Sequence, residues 1–285
     1  MRLTPILPIM AGLIFLFGLA LLHAGEDNPP PVTGILGAMT LEVAILTEAL
    51  ENPSPQVIQK LKFASGKLNG RNVVVARMGI GKVNAAIGAT LLLEHFKPSE
   101  VLVTGISGGI NPELGPGDIV VAVKTAHHDF GILTAQGLEQ KGTRNPITGQ
   151  RNPVFFPADA GLLKLADVSA ARVKLEPFQT AAGARAPKII KGVIVTGDVF
   201  VADPQRNAAL RKDFSADAVE MEGAAVMQVC CQQGVPCLVI RSISDMADSN
   251  AIKDSTSFSK NAAGNSAKLV RDIVSQLAAE AGPKP

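Results

Sequence analysis

Short, almost wholly apolar runs recur along this chain, and they limit its folds more than any other feature. NVVVAR (Asn72–Arg77), EVLVT (Glu100–Thr104), DIVVAV (Asp118–Val123), GVIVT (Gly192–Thr196) and PCLVIRSI (Pro236–Ile243) are rich in β-branched residues. A strand with one wet face alternates apolar and polar residues, whereas continuous runs require cover on both faces. Val32–Met39 reads as a further strand at the start. Between the runs, Leu41–Leu50, Val83–Phe96, Glu222–Gln233 and Ser257–Ala279 have helical length and composition. Strands alternating with helices predict an α/β protein with a largely parallel or mixed sheet between helical layers. No internal repeat is visible. The stretch Gly131–Pro157 is irregular and is expected to be a functional or mobile loop. The polar stretch Glu176–Pro187 reads as a surface excursion.

Composition supports a sizeable core and narrows the partners. Hydrophobic residues make up 47% and charged residues 18%, which excludes a disordered chain. The net charge is only +2 and no basic block stands out. Trp and Tyr are absent. Nucleic acid is therefore not an expected partner. Cys230, Cys231 and Cys237 lie in or beside apolar runs without metal-ligand spacing to a His, so buried thiols are expected and a disulfide framework is not. His127, His128 and Asp129 form a small polar group with no Cys or His set to complete it. It reads as a loop edge near a pocket, and no metal is expected.

The N-terminus is organised differently. Arg2 is followed by an apolar run from Pro5 to Leu22, then by His23, Ala24, Gly25 and a Pro-rich stretch. A short basic start, an apolar middle and small residues at the end predict a signal peptide over 1–24, with a linker over 25–31 and the folded domain over 32–285. Left uncut, the run is about long enough to span a bilayer, so a membrane anchor is the alternative and the only membrane contact expected. The signal implies an exported protein, periplasmic or secreted.

Candidate chemistry lies at strand ends. Glycines cluster in Gly79-Ile80-Gly81 and in Gly105-Ile106-Ser107-Gly108-Gly109, where backbone can approach a ligand closely. Neither is a phosphate-binding fingerprint. Four carboxylates keep apolar company: Glu42 at the first helix, Glu220 and Glu222 around Met221, and Asp245 at the end of VIRSISD. Each must be paired, hydrogen-bonded or shifted in pKa. Taken singly, each is as well explained as a helix cap or a structural ion pair.

Six ordered segments raise the specificity: GILGAMTLEV, MGIGKVNAAIGATLLLEH, PGDIVV, VTGDVF, AVEMEGAAV and VIRSISD. Together they resemble the 5′-methylthioadenosine/S-adenosylhomocysteine nucleosidases of the purine-nucleoside and uridine phosphorylase superfamily, from about Gly34 to the C-terminal helix. The resemblance implies a three-layer α/β/α sandwich around a mixed, partly curled sheet, usually as a homodimer. It also implies hydrolysis of the adenine–ribose bond of a modified adenosine, without a cofactor. By position, Glu42 corresponds to the water-activating glutamate, Glu222 to the one that holds the ribose hydroxyls, and Asp245 to the general acid at purine N7. Arg241 and Ser107 correspond to water-positioning residues. Phe200 corresponds to the ring stacked on adenine, Val201 to a backbone partner of the base edge, and Met221 to a residue under the ribose, with Ile106 and Ser244 among the substrate contacts.

Two departures stand out. TGISGG puts Ile106 where a hydroxyl is usual and moves Ser107 by one position. The Gly131–Pro157 stretch differs from the family's pattern, so the 5′ substituent does not carry over. A phosphorylase of the same fold is a weaker alternative, because Glu42 stands where the phosphorylases place a phosphate loop. A non-catalytic nucleoside-binding or storage protein is the other. Phe258 is expected in the core rather than over a ligand.

Overall fold

The computed structural model describes residues 30–180 and 183–281, and the export segment read at 1–24 lies outside them. β1 (Val32–Gly37) leads into α1 (Thr40–Glu48), followed by the hairpin of β2 (Glu51–Ile58) and β3 (Leu61–Leu68). Then come β4 (Arg71–Arg77), α2 (Lys82–Phe96), β5 (Glu100–Gly109) and β6 (Ile119–His127). The irregular stretch holds a small hairpin, β7 (Gly131–Thr134) and β8 (Gly137–Gln140), and then β9 (Phe155–Pro157). After α3 (Ala160–Ala170), β10 (Phe178–Thr180) pairs with β11 (Gly183–Arg185). β12 (Ile189–Thr196), α4 (Pro204–Phe214), β13 (Ala218–Glu220), α5 (Gly223–Gln233), β14 (Cys237–Asp245) and α6 (Ala251–Ala281) complete the order.

The main sheet runs β13-β12-β6-β14-β5-β1-β4-β3-β2 and is mixed. β1 pairs in parallel with β4 and β5, while β14 is parallel to β5 and antiparallel to β6. β13 also pairs with β5, through Ala218↔Gly109 and Val219↔Gly108. Five strands thus close on themselves, which is the curl expected of the sheet.

The apolar runs explain the layers. Successive strand residues point to opposite faces. Leu36, Val74, Val103 and Val239 join Ala85, Ala89 and Leu92 of α2 and Val226 of α5 on one side. Ile35, Val75, Leu102 and Leu238 join Leu46 of α1, Leu162 of α3 and Ile273 of α6 on the other. Both faces are covered, giving a three-layer α/β/α sandwich. None of the described helices is long and apolar enough to cross a membrane.

Several expectations need correction. The β2–β3 hairpin has no apolar run to announce it, because β2 (ENPSPQVI) is the last strand of the sheet and largely exposed. An edge position tolerates its two prolines. α3 and α4 also escaped the pattern, although Asp159 and Asp203 cap them and Pro204 opens α4, which are legible start signals. The stretch 131–157 is not a bare loop. Nor is 176–187 a free excursion, since Phe178 is buried and Arg185 pairs with Asp118 at 2.5 Å. Cys231 is exposed, unlike Cys230 and Cys237, because adjacent helix residues point about 100° apart.

Candidate active site

Three strand ends and one helix start meet at a cavity of about 190 Å³. Its walls include Glu42, Ile106, Ser107, Phe200, Val201, Met221, Glu222, Ser244 and Asp245, nine of the ten site residues expected from the sequence. The tenth, Arg241, lies fully buried on β14 in contact with the carboxylates of that wall.

Glu42 sits in the first turn of α1. Its Oε2 accepts from the N–H groups of Ala38 and Met39, at 2.7 and 2.8 Å, and its Oε1 accepts from Ile106 N–H at 3.0 Å. The structural explanation and the chemical one therefore hold together: the side chain ties down the start of its helix and also faces the cavity. Burial raises its pKa, against the opposing pull of Arg241 and the three N–H donors. Ile106 serves Glu42 through its backbone. The hydroxyl of Ser107 is buried and finds no partner among the described residues.

Arg241 gathers three glutamates. Its Nη2 donates to Glu220 and, at 3.1 Å, to Glu222 Oε2, while Nη1 stands 3.6 Å from Glu42 Oε1. Burial alone would lower its pKa, but the three carboxylates outweigh that and raise it. Its Nη1 and Nε have no acceptor among the described residues. The close approach depends on Gly105. A Cβ there would lie 2.0 Å from Arg241 Nη1 and 2.4 Å from Glu42 Oε1. Gly105→Ala is expected to cost about 1–3 kcal/mol of stability by overpacking and to lower turnover, checked by denaturant unfolding and steady-state kinetics.

Glu220 is the residue that sequence reasoning noticed but gave no role. It accepts from Thr196 Oγ1, from Arg241, and from the N–H groups of Glu222 and Gly223 at the start of α5. The signal was the pair of glutamates in VEMEG, at the junction where β13 ends and α5 begins.

Glu222 accepts from Gly81 N–H at 2.8 Å through Oε1. Three glutamates around one arginine would leave two negative charges in excess if all were ionised, which a buried site resists. Burial, reinforced by Glu220, pushes Glu222 up to about 7 against the pull of Arg241. A carboxyl raised in the folded state binds its proton more tightly there than when unfolded. Its ionisation therefore opposes folding as pH climbs from about 4.5 through about 7. Glu222→Gln is expected to flatten the fall of stability across that window, as measured by unfolding at stepped pH.

Asp245 ends β14. Its Oδ2 accepts from Ser244 Oγ at 2.7 Å and its Oδ1 from Ala247 N–H at 2.9 Å. Burial raises its pKa in spite of both bonds. In the same cavity lining, Phe200 is half exposed while Val201 is buried. Phe258 packs against Phe178 with ring centroids 5.9 Å apart, and Ser255, about one helical turn earlier, lines the cavity instead. His128 is buried rather than at a loop edge. Arg206 donates to its Nδ1, and burial lowers its pKa to about 4.

A closed mixed sheet between helical layers, with a carboxylate-lined cavity at its strand ends, defines a protein of the phosphorylase class. The model of the phosphorylase superfamily matches residues 32–275. The chain is 41% identical over 247 residues, 86% of its length and 99% of the relative's, to the 5′-methylthioadenosine/S-adenosylhomocysteine nucleosidase of Shewanella halifaxensis. The nucleosidase of that name from Neisseria meningitidis, solved with methylthio-immucillin-A, superimposes with a TM-score of 0.73 at 36% identity, over 86% of this chain and 99% of that one. Futalosine hydrolase of Helicobacter pylori superimposes with a TM-score of 0.74 at 32% identity, over 86% and 98%. The chain belongs to the phosphorylase superfamily and, within it, to the family of the 5′-methylthioadenosine/S-adenosylhomocysteine nucleosidases.

Proposed function

We propose that this protein hydrolyses the N-glycosidic bond of 5′-modified adenosines, of the 5′-methylthioadenosine, S-adenosylhomocysteine or 5′-deoxyadenosine type, and releases adenine. One observation carries the reading: Glu42, Glu222 and Asp245, from distant parts of the chain, line the same cavity. Breaking the bond leaves positive charge on the sugar and sends the electron pair to the base. Asp245, whose pKa is raised by burial, acts in its protonated form and donates to N7 of the departing adenine. Glu222 accepts from the ribose hydroxyls and steadies the cationic sugar. Water adds to the anomeric carbon and gives its proton to Glu42, whose raised pKa suits a base. Arg241 and Ser107 place that water with their free donors. Phe200 stacks on adenine, Val201 meets the base edge, Met221 lies under the ribose, and Ile106 and Ser244 add further substrate contacts from the cavity wall.

Water is the nucleophile in this reading, because Glu42 would repel phosphate from the same place. Two further parts belong to the proposal. The N-terminal segment directs export, so the enzyme acts on nucleosides outside the cytoplasm. A second copy of the chain covers α2, where Val83 and Ile87, one turn apart, are exposed together with Ile80 at the cavity wall. The test is adenine release from a panel of 5′-modified adenosines with and without phosphate. Release without phosphate is expected. A strict phosphate requirement, with the correspondingly 5′-modified ribose-1-phosphate as product, would overturn hydrolysis, and tight binding without turnover would overturn catalysis.

A further inference from the structure

We propose that Lys82 is a positioning residue that clasps the loop bearing Phe200 to the start of α2, and so joins the adenine end of the cavity to its ribose end. The inference rests on the reading of the cavity as an adenosine site. It starts from two consecutive backbone donors. Gly81 N–H holds Glu222 Oε1 at 2.8 Å, and Lys82 N–H holds Asp198 Oδ1 at 2.7 Å. Gly81 takes a left-handed φ of 94° to present them, and α2 has no side-chain cap of its own. A helix N-terminus favours negative charge, and here it receives one carboxylate from the cavity wall, Glu222, and one from the loop that bears Phe200, Asp198.

The Lys82 side chain closes a ring over these contacts. Its Nζ donates to Asp129 Oδ1 at 2.6 Å and lies 3.8 Å from Asp198 Oδ2. Asp129 Oδ2 in turn accepts from Asp198 N–H at 2.9 Å. Three segments are thereby joined: the start of α2, the turn after β6, and the loop after β12 that carries Phe200 two residues beyond Asp198. Burial would raise Asp129, but Lys82 and the Asp198 N–H outweigh it and hold the carboxylate below its usual range. Beneath the loop, the His128 ring lies where a side chain at Gly197 would collide, 2.3 Å from its Cβ position. The loop is thus seated from below and latched from the side.

A latch of this kind acts on the base before it acts on the bond. Lys82→Met is expected to raise KM for 5′-methylthioadenosine by about tenfold and to weaken adenine binding by a similar factor, with kcat within about threefold. Lys82→Arg is expected to restore most of the loss. Asp129→Asn should reproduce most of the defect, and the double variant should fall well short of the sum of the two, because both break the Lys82–Asp129 contact. The lysine and Asp129 side chains are 20% and 25% exposed, so salt reaches the pair. Raising salt from about 0.05 to 0.5 M should raise the wild-type KM and leave that of Lys82→Met nearly flat. Unfolding curves check that the variants are folded, and Asp129→Asn carries the test if Lys82→Met is not. A fall in kcat at unchanged KM, additive effects, or equal salt dependence would overturn the clasp. A wild-type protein that releases no adenine from any nucleoside would instead overturn the functional reading.

Discussion

Replacing Asp245 by Asn is expected to lower kcat for adenine release by at least about a hundredfold while leaving the folded protein nearly unchanged, since a positioned general acid contributes roughly 10²–10⁴ in rate. The substitution keeps shape and much of the bonding. An amide oxygen can still accept from Ala247 N–H, and the amide nitrogen can donate to the Ser244 hydroxyl, which now donates to Asp245. Only the transferable proton is lost. The pH profile separates this role from a structural one. The wild-type acid works while protonated, so its rate should fall as pH rises through a pKa that burial has lifted above 3.8. That limb should be missing from Asp245→Asn. Turnover within a few-fold of wild type, with the limb intact, would remove Asp245 from the mechanism.

The second large effect concerns stability. Arg241 is the shared cation of Glu42, Glu220 and Glu222, and it is fully buried. Arg241→Met is expected to cost about 3–5 kcal/mol at neutral pH, the usual consequence of leaving buried charge without its partner. The sign with pH follows from the carboxylates. Without Arg241 the folded-state pKa values of Glu42 and Glu222, already raised by burial, rise further above the unfolded ones, so the folded form binds more protons than the unfolded form. The variant should therefore regain stability as pH falls toward the ordinary carboxylate range, and the gap to wild type should narrow. Denaturant unfolding at stepped pH measures it. A gap below about 1 kcal/mol that does not change with pH would mean that the cluster is solvated and that Arg241 does not hold it together.

Asp245 and the glutamates around Arg241 stand out in the amino-acid sequence itself, whereas Arg241 was marked only by the family resemblance. Glu42, Glu222 and Asp245 are conspicuous because a carboxylate beside an apolar run demands an explanation, and the ordered segments around them point to one chemistry. The central strands are legible for a related reason: continuous apolar runs mean two covered faces, and both faces are covered. The β2–β3 hairpin was not legible, because an exposed edge strand with two prolines carries no burial signal. α4 was marked only by Asp203 and Pro204, since its mean composition is polar. Glu220 was visible as a residue but not as the main acceptor of Arg241, which lies 21 positions further on.

Periodicity, caps and composition are local, so the sequence by itself determined the central strands, the apolar helices between them, and which carboxylates carry chemistry. The strand order β6-β14-β5-β1, and the closure of β13 onto β5, decided which of those side chains meet. Only that meeting sets the charge balance around Arg241, the burial that lifts Glu222 and Asp245, and the ring through Lys82. Each depends on distances between residues far apart in the chain and on the exclusion of water between them. Such quantities come into being with the packed fold.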